Sequence, residues 1–202
     1  EYNLLLISDE IYDRTVYAGK LVSISRIAKD VPVVGLNGFS KTYLMTGWRL
    51  GYMYFHDSDR RFTELKDGIQ KEARVRLSAN TPVQKAGVAA LRGPQDHILQ
   101  MVRKLRKRRD YAWKRLNEMA GISCTKPEGA FFVFPRVNAV GSKWKTDIEF
   151  VYDFLEETGV LLVPGSGFEP TYGHGHFRSV ILPPIETLET AFNLLEQFLS
   201  KH

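Results

Sequence analysis

Three apolar runs of strand length, at residues 3–8, 31–39 and 49–55, constrain the fold more than any other feature of the chain. None of them alternates polar with apolar residues. Continuous apolar strands suit a sheet covered on both faces, not one with a wet side. A short helix is predicted between the first two runs, at 24–29, and a longer helical pattern follows the third, from Ser58 to about Leu77. Strands interleaved with helices point to an α/β layer arrangement.

The second half reads differently. A helix is predicted to start at Thr81-Pro82, with proline at the first helical position, and to stop before Gly93-Pro94. A long helix follows at about 95–119, with Met101, Val102, Leu105, Tyr111, Ala112 and Leu116 on its apolar side and Gly121 as its predicted C-terminal cap. Short strands are expected at 122–124, 131–134, 160–163 and 177–182, and a helix at 147–157. The last helix carries Leu188, Ala191, Phe192, Leu195, Phe198 and Leu199 as a 3.6-residue stripe, which reads as core. The break at Gly93-Pro94 is the predicted boundary between two domains, 1–93 and 94–202.

With 202 residues, 44% of them hydrophobic, the chain can bury a real core, so disorder is not expected. The net charge of +5 raises nucleic acid as a partner. Much of the excess lies in Arg103-Lys104-Leu105-Arg106-Lys107-Arg108-Arg109, inside the long helical pattern and without an aromatic stacking platform. It reads as a solvated helix face, and no nucleic-acid partner is expected. The single cysteine, Cys124, excludes an internal disulfide and a multi-cysteine metal site, and its strand-like setting predicts a buried structural thiol. His174 and His176 flank Gly175 with no third ligand in view, so no metal is predicted. No apolar run approaches the roughly 18 residues that would span a membrane.

Chemistry is concentrated at Asn37-Gly38-Phe39-Ser40-Lys41-Thr42-Tyr43-Leu44-Met45-Thr46-Gly47-Trp48-Arg49-Leu50-Gly51. Lys41 falls in a turn after an apolar strand, among hydroxyls, with Arg49 downstream. An amine that forms an imine, beside a phosphate that must be gripped, calls for this set. Asp9 ends the first strand, where ligands of open α/β sheets bind. Arg178 lies in an apolar strand, where an arginine is costly unless paired. Each residue has an ordinary reading too: a loop lysine, a turn aspartate, a surface ion pair for Arg49, a structural ion pair for Arg178.

The segment resembles the lysine-bearing stretch of class I and II aminotransferases, the fold-type I enzymes that use pyridoxal 5′-phosphate (PLP). Four more segments resemble the family, in family order: Ile7-Ser8-Asp9-Glu10-Ile11-Tyr12, Pro127-Glu128-Gly129-Ala130-Phe131-Phe132, Val163-Pro164-Gly165-Ser166-Gly167-Phe168, and Phe177-Arg178-Ser179-Val180-Ile181-Leu182-Pro183. The resemblance implies part of a PLP-binding large domain with a mixed, mostly parallel sheet, followed by a small α+β C-terminal domain. Lys41 would be the Schiff-base lysine. A buried Asp9 would pair with the pyridine nitrogen, Tyr12 with the phenolic oxygen, Ser40 and Arg49 with the phosphate, and Arg178 with the substrate carboxylate. Gly38 departs from the pattern, because many relatives have a hydroxyl residue there. Within the family the pattern is nearest to bacterial and archaeal alanine aminotransferases. It implies ping-pong transfer between alanine and a 2-oxo acid such as 2-oxoglutarate, in a homodimer that is expected in the cytoplasm.

The chain starts at Glu1 and the resemblance covers the second half of such an enzyme, so the isolated chain is expected to be weak or inactive. A C–S lyase of the same fold would use the same residues, and a non-catalytic aminotransferase-like regulatory domain is the other reading the sequence leaves open.

Overall fold

The computed structural model describes residues 4–28 and 30–202; the expected strand start at Asn3, helix end at Lys29 and domain start at Glu1 lie outside them. The first apolar run becomes β1 (Leu6–Asp9), followed by α1 (Ile24–Ile27) and β2 (Val33–Gly38). β3 (Gly51–His56) follows. Then come α2 (Thr63–Val75), α3 (Thr81–Arg92) and α4 (Asp96–Glu118). The three strands form one sheet in chain order. β1 and β2 run parallel, with Leu6 opposite Val33 and Asp9 opposite Leu36. β2 and β3 run antiparallel, with Val33 opposite His56 and Gly38 opposite Gly51. The sheet is therefore mixed, with one pair of each kind.

The expectation of a sheet covered on both faces needs correcting. Only the central strand β2 is buried along most of its length; Ile7 on β1 is 66% exposed and Tyr52 on β3 50% exposed. The helices explain why, since α2 buries no residue and α3 buries only Gly87. Gly87 allows close contact, because a Cβ there would come within 2.6 Å of the Leu50 side chain.

The chain divides into two compact units, Glu1–Gln100 and Met101–His202, and the division falls inside α4. In the second unit come β4 (Ile122–Ser123), β5 (Phe132–Val133) and β6 (Arg136–Val137), then α5 (Asp147–Thr158), β7 (Val163–Pro164), β8 (Phe177–Val180) and α6 (Ile185–Lys201). β8 is the centre of an antiparallel sheet ordered β5-β8-β7, and β4 pairs with β6. The α6 stripe is core as its period requires: Leu188, Phe192, Leu195 and Phe198 are buried, with Phe198 packed against Trp144, Phe150 and Phe154. α5 begins at Thr146, whose hydroxyl accepts the Glu149 N–H at 3.2 Å, and ends at Gly159 with φ 71°.

Three local expectations shift. The strand at 160–163 reduces to Val163–Pro164, because the Val160 N–H is taken by the Thr158 hydroxyl at the helix exit (3.2 Å). β6 was not foreseen; it is two residues long and follows Pro135 directly. Gly121 has φ 80° but turns the chain beyond the last residue of α4. That turn is held by Asn117, whose amide accepts the Cys124 N–H (3.0 Å) and donates to the Cys124 carbonyl (2.9 Å). Trp113 Nε1 donates to the same carbonyl at 3.1 Å. Cys124 is buried as expected, and burial pushes its thiol pKa up, against a smaller opposite effect from the Phe134 backbone.

Candidate active site

Because β1 and β2 are parallel, the segments that follow them leave the sheet at the same end. After β1 the chain turns at once. The Asp9 carboxylate accepts the Ile11 N–H (3.1 Å), Asp13 N–H bonds to the Glu10 carbonyl (3.0 Å), and Thr15 N–H to the Tyr12 carbonyl (2.9 Å). After β2, Phe39 organises the lysine loop. Its buried carbonyl accepts the N–H groups of Tyr43 (3.2 Å) and Met45 (3.3 Å), and its own N–H bonds to the Leu50 carbonyl (3.1 Å). Leu44 and Arg49 both sit at φ 54°, in the left-handed region that costs a non-glycine residue roughly 1–2 kcal/mol. Strain of this kind is held only where surrounding contacts over-determine the loop.

The outcome is a cluster at one end of the sheet. Lys41 Nζ lies 6.0 Å from the centre of the Tyr12 ring, over its face. Both residues are half-buried, as is Ser40 beside them. Asp9 ends β1 as expected, but it is exposed where a buried carboxylate was anticipated. The cause is register, since alternate residues Ile7 and Asp9 share the open face of β1. Arg49 is exposed, and its Nη1 donates to the Thr46 carbonyl at 2.9 Å.

One residue of this region was missed. Glu10 lies in the Ile7-Ser8-Asp9-Glu10-Ile11-Tyr12 segment, where the sequence alone assigns it no role. Its carboxylate accepts from Ser23 Oγ (2.9 Å), the Ile24 N–H (3.1 Å), Tyr54 OH (2.9 Å) and Ser8 Oγ (3.3 Å). Burial raises its pKa, but these four bonds outweigh burial and hold it below the ordinary value. Tyr54 reaches Glu10 across Gly35, where any Cβ would meet its ring at 2.0 Å. Ser23 and Tyr54 lie too far along the chain for spacing to have revealed them.

In the second unit, Arg178 on β8 makes no ion pair with the described residues. Its Nε is buried without a hydrogen-bond partner, and its Cζ lies 4.5 Å from the Phe132 ring centre and 4.4 Å from that of Phe168. An unpaired guanidinium with an orphaned donor suits a planar anion. Among the described residues no group of three or more His, Cys, Asp or Glu could hold a metal, and no helix is long and apolar enough to cross a membrane.

The donor set fits PLP: a carboxylate at a strand end, a phenol beside an amine, and a serine and an arginine for phosphate. Comparison with known proteins points the same way. The family model described as aminotransferase class I and II matches residues 1–193. The chain is 35% identical over 203 residues to the glutamate-pyruvate aminotransferase AlaA of Escherichia coli, covering 99% of this chain and 50% of that protein. It is also 35% identical over 200 residues to a probable N-acetyl-LL-diaminopimelate aminotransferase of Bacillus subtilis, covering 98% of this chain and 48% of that one. Among solved structures, an alanine aminotransferase from Pyrococcus furiosus superposes with a TM-score of 0.92 at 52% identity, over 97% of this chain and 49% of that chain. The chain thus spans about half the length of the relatives it matches. Over nearly all of its residues, this chain belongs to the class I and II aminotransferase family.

Proposed function

We propose that the protein containing this chain is a PLP-dependent aminotransferase that moves an amino group from alanine to a 2-oxo acid such as 2-oxoglutarate, in two half-reactions. The observation that carries this reading is the Lys41 amine over the Tyr12 ring, at the same sheet end as Asp9. Asp9 would hold the cofactor's pyridine nitrogen, Tyr12 its phenolic oxygen, and Ser40 and Arg49 its phosphate. Bound there, PLP supplies an electron sink for the charge left at the substrate Cα when a proton is removed. Lys41 supplies the amine that takes and returns that proton. Arg178 binds the substrate carboxylate through its in-plane N–H groups. The choice of alanine is supported by the names of the Escherichia coli and Pyrococcus furiosus relatives; the Bacillus subtilis relative is named for another amino acid. By analogy with the family, the protein works as a homodimer in the cytoplasm.

The test is chemical. The chain is mixed with PLP, reduced with borohydride and digested, and the adduct is located by mass spectrometry. A single pyridoxyl label on Lys41, lost in Lys41→Ala, is expected. Labelling scattered over many lysines refutes a specific site. In the full-length protein, alanine and 2-oxoglutarate should yield pyruvate and glutamate.

A further inference from the structure

The geometry points to Phe132 and Phe168 as positioning residues for Arg178: together they fix the plane of its guanidinium and leave its N–H edge for a substrate carboxylate. This rests on the reading of Arg178 as the carboxylate ligand.

Sheet register brings the first ring. Phe132 is directly opposite Val180, and Arg178 is two residues from Val180 on the same face, so Phe132 and Arg178 are diagonal neighbours. A loop brings the second. Phe168 follows the tight turn at Gly165–Gly167 that leaves β7, and its N–H bonds back to the Gly165 carbonyl (2.9 Å). That turn is held from two sides. Gly165 N–H donates to the His176 carbonyl (2.8 Å), and Ser166 N–H donates to Asp147, a carboxylate 1% exposed at the start of α5 (2.8 Å). Gly165 and Gly173 pass so closely that a Cβ on the first would lie 2.3 Å from the carbonyl oxygen of the second. Phe134 backs Phe168 edge-on, with ring centres 6.0 Å apart.

A cation over an aromatic face is attracted by the ring quadrupole, and more strongly when water is excluded. The faces of a guanidinium donate no hydrogen bonds; all its donors lie in its plane. Rings stacked on those faces would leave the in-plane fork intact. They also restrict its rotation, so less freedom is lost when a carboxylate binds bidentately. Phe168 is 50% exposed, which sequence patterning for a core phenylalanine does not explain and a clamp at the mouth of a site does.

The test compares alanine with ethylamine, the same amine without a carboxylate, as half-reaction substrates of the full-length protein. Phe168→Leu and Phe132→Leu should each lower the alanine-over-ethylamine preference in kcat/KM by about 3–10-fold, the scale of one cation–π contact. Phe168→Tyr, which keeps the ring, should preserve the preference. Leu variants that keep the full preference overturn the proposal. Arg178→Lys separates the two levels: if it too keeps the preference, the carboxylate reading of Arg178 has failed; if only it loses preference, the clamp alone has failed. A second readout needs no turnover. In the 202-residue chain the Arg178 Nε–H proton should resonate upfield, under the ring current, and move on titration with propionate. Phe168→Leu should return it downfield and weaken propionate binding. A signal at the ordinary arginine position in the unaltered chain would sink the idea.

Discussion

Glu10 is pulled two ways, since burial favours its neutral form while four donors favour the carboxylate. The donors win, so its pKa in the fold lies below that in the unfolded chain. A group with a depressed pKa contributes stability above its unfolded pKa and loses that contribution as pH falls through the folded one. Glu10→Gln should therefore unfold at lower urea than the parent at pH 7, by about 1 kcal/mol at most, since the partly exposed carboxylate is screened by water. The gap should close on acidification past the folded pKa; a gap constant with pH would show that the charge is not what matters. The same network ties the residue after Asp9 to Ser23 and Tyr54, so the turn that follows β1 inherits its position from the Glu10 carboxylate. None of this was legible locally. Lys41, Asp9 and Arg178 were singled out by the segments around them, since each alone has an ordinary reading, whereas Glu10, Phe132 and Phe168 acquire meaning only from partners brought by register or by a loop.

Among the elements, those bounded by local chemistry were the readable ones. α3 starts at Thr81-Pro82 and stops at Gly93, as proline and glycine at those ends dictate. α6 follows its stripe. β6 and the shortened β7 were not readable, since two-residue strands exist only through their partners. α2 ends less comfortably than the others. Leu77, just past its C-cap, adopts φ 65°, is 90% exposed, and donates its N–H to the Arg74 carbonyl at 2.8 Å. Glycine takes that conformation without a Cβ clash. Leu77→Gly should raise the unfolding free energy of the chain by about 1 kcal/mol, read as a higher urea midpoint at unchanged slope. No change would mean that the left-handed conformation is not populated in solution.

The two units of the molecule differ in how they are sustained. The second has a continuous aromatic and aliphatic core from Ala112 to Phe198, whereas the first rests mainly on β2, Phe39 and a few neighbours. In the first, β1 and β3 each have one strand partner and one open edge among the described residues, with Ile7, Tyr52 and Met53 exposed. Open, apolar edges recruit other chains. Sedimentation velocity of the 202-residue chain should show an average mass that rises with concentration above 23.1 kDa. Ile7→Lys should suppress the rise. A chain that stays monomeric at all concentrations would mean that the edges are protected. The α/β character of this unit was legible because apolar runs announce strands, but its thin cover was not, because runs do not say what lies on top of them.

Asn117 also has a mechanical consequence. With one side chain it grips both backbone groups of Cys124, while Trp113, one helical turn earlier, grips the carbonyl as well. Sliding or twisting the last turns of α4 against β4 therefore strains three bonds to a single residue. The end of the helix and the start of the strand are thus coupled, so a displacement of the last turns of α4 strains these three bonds before β4 can move independently.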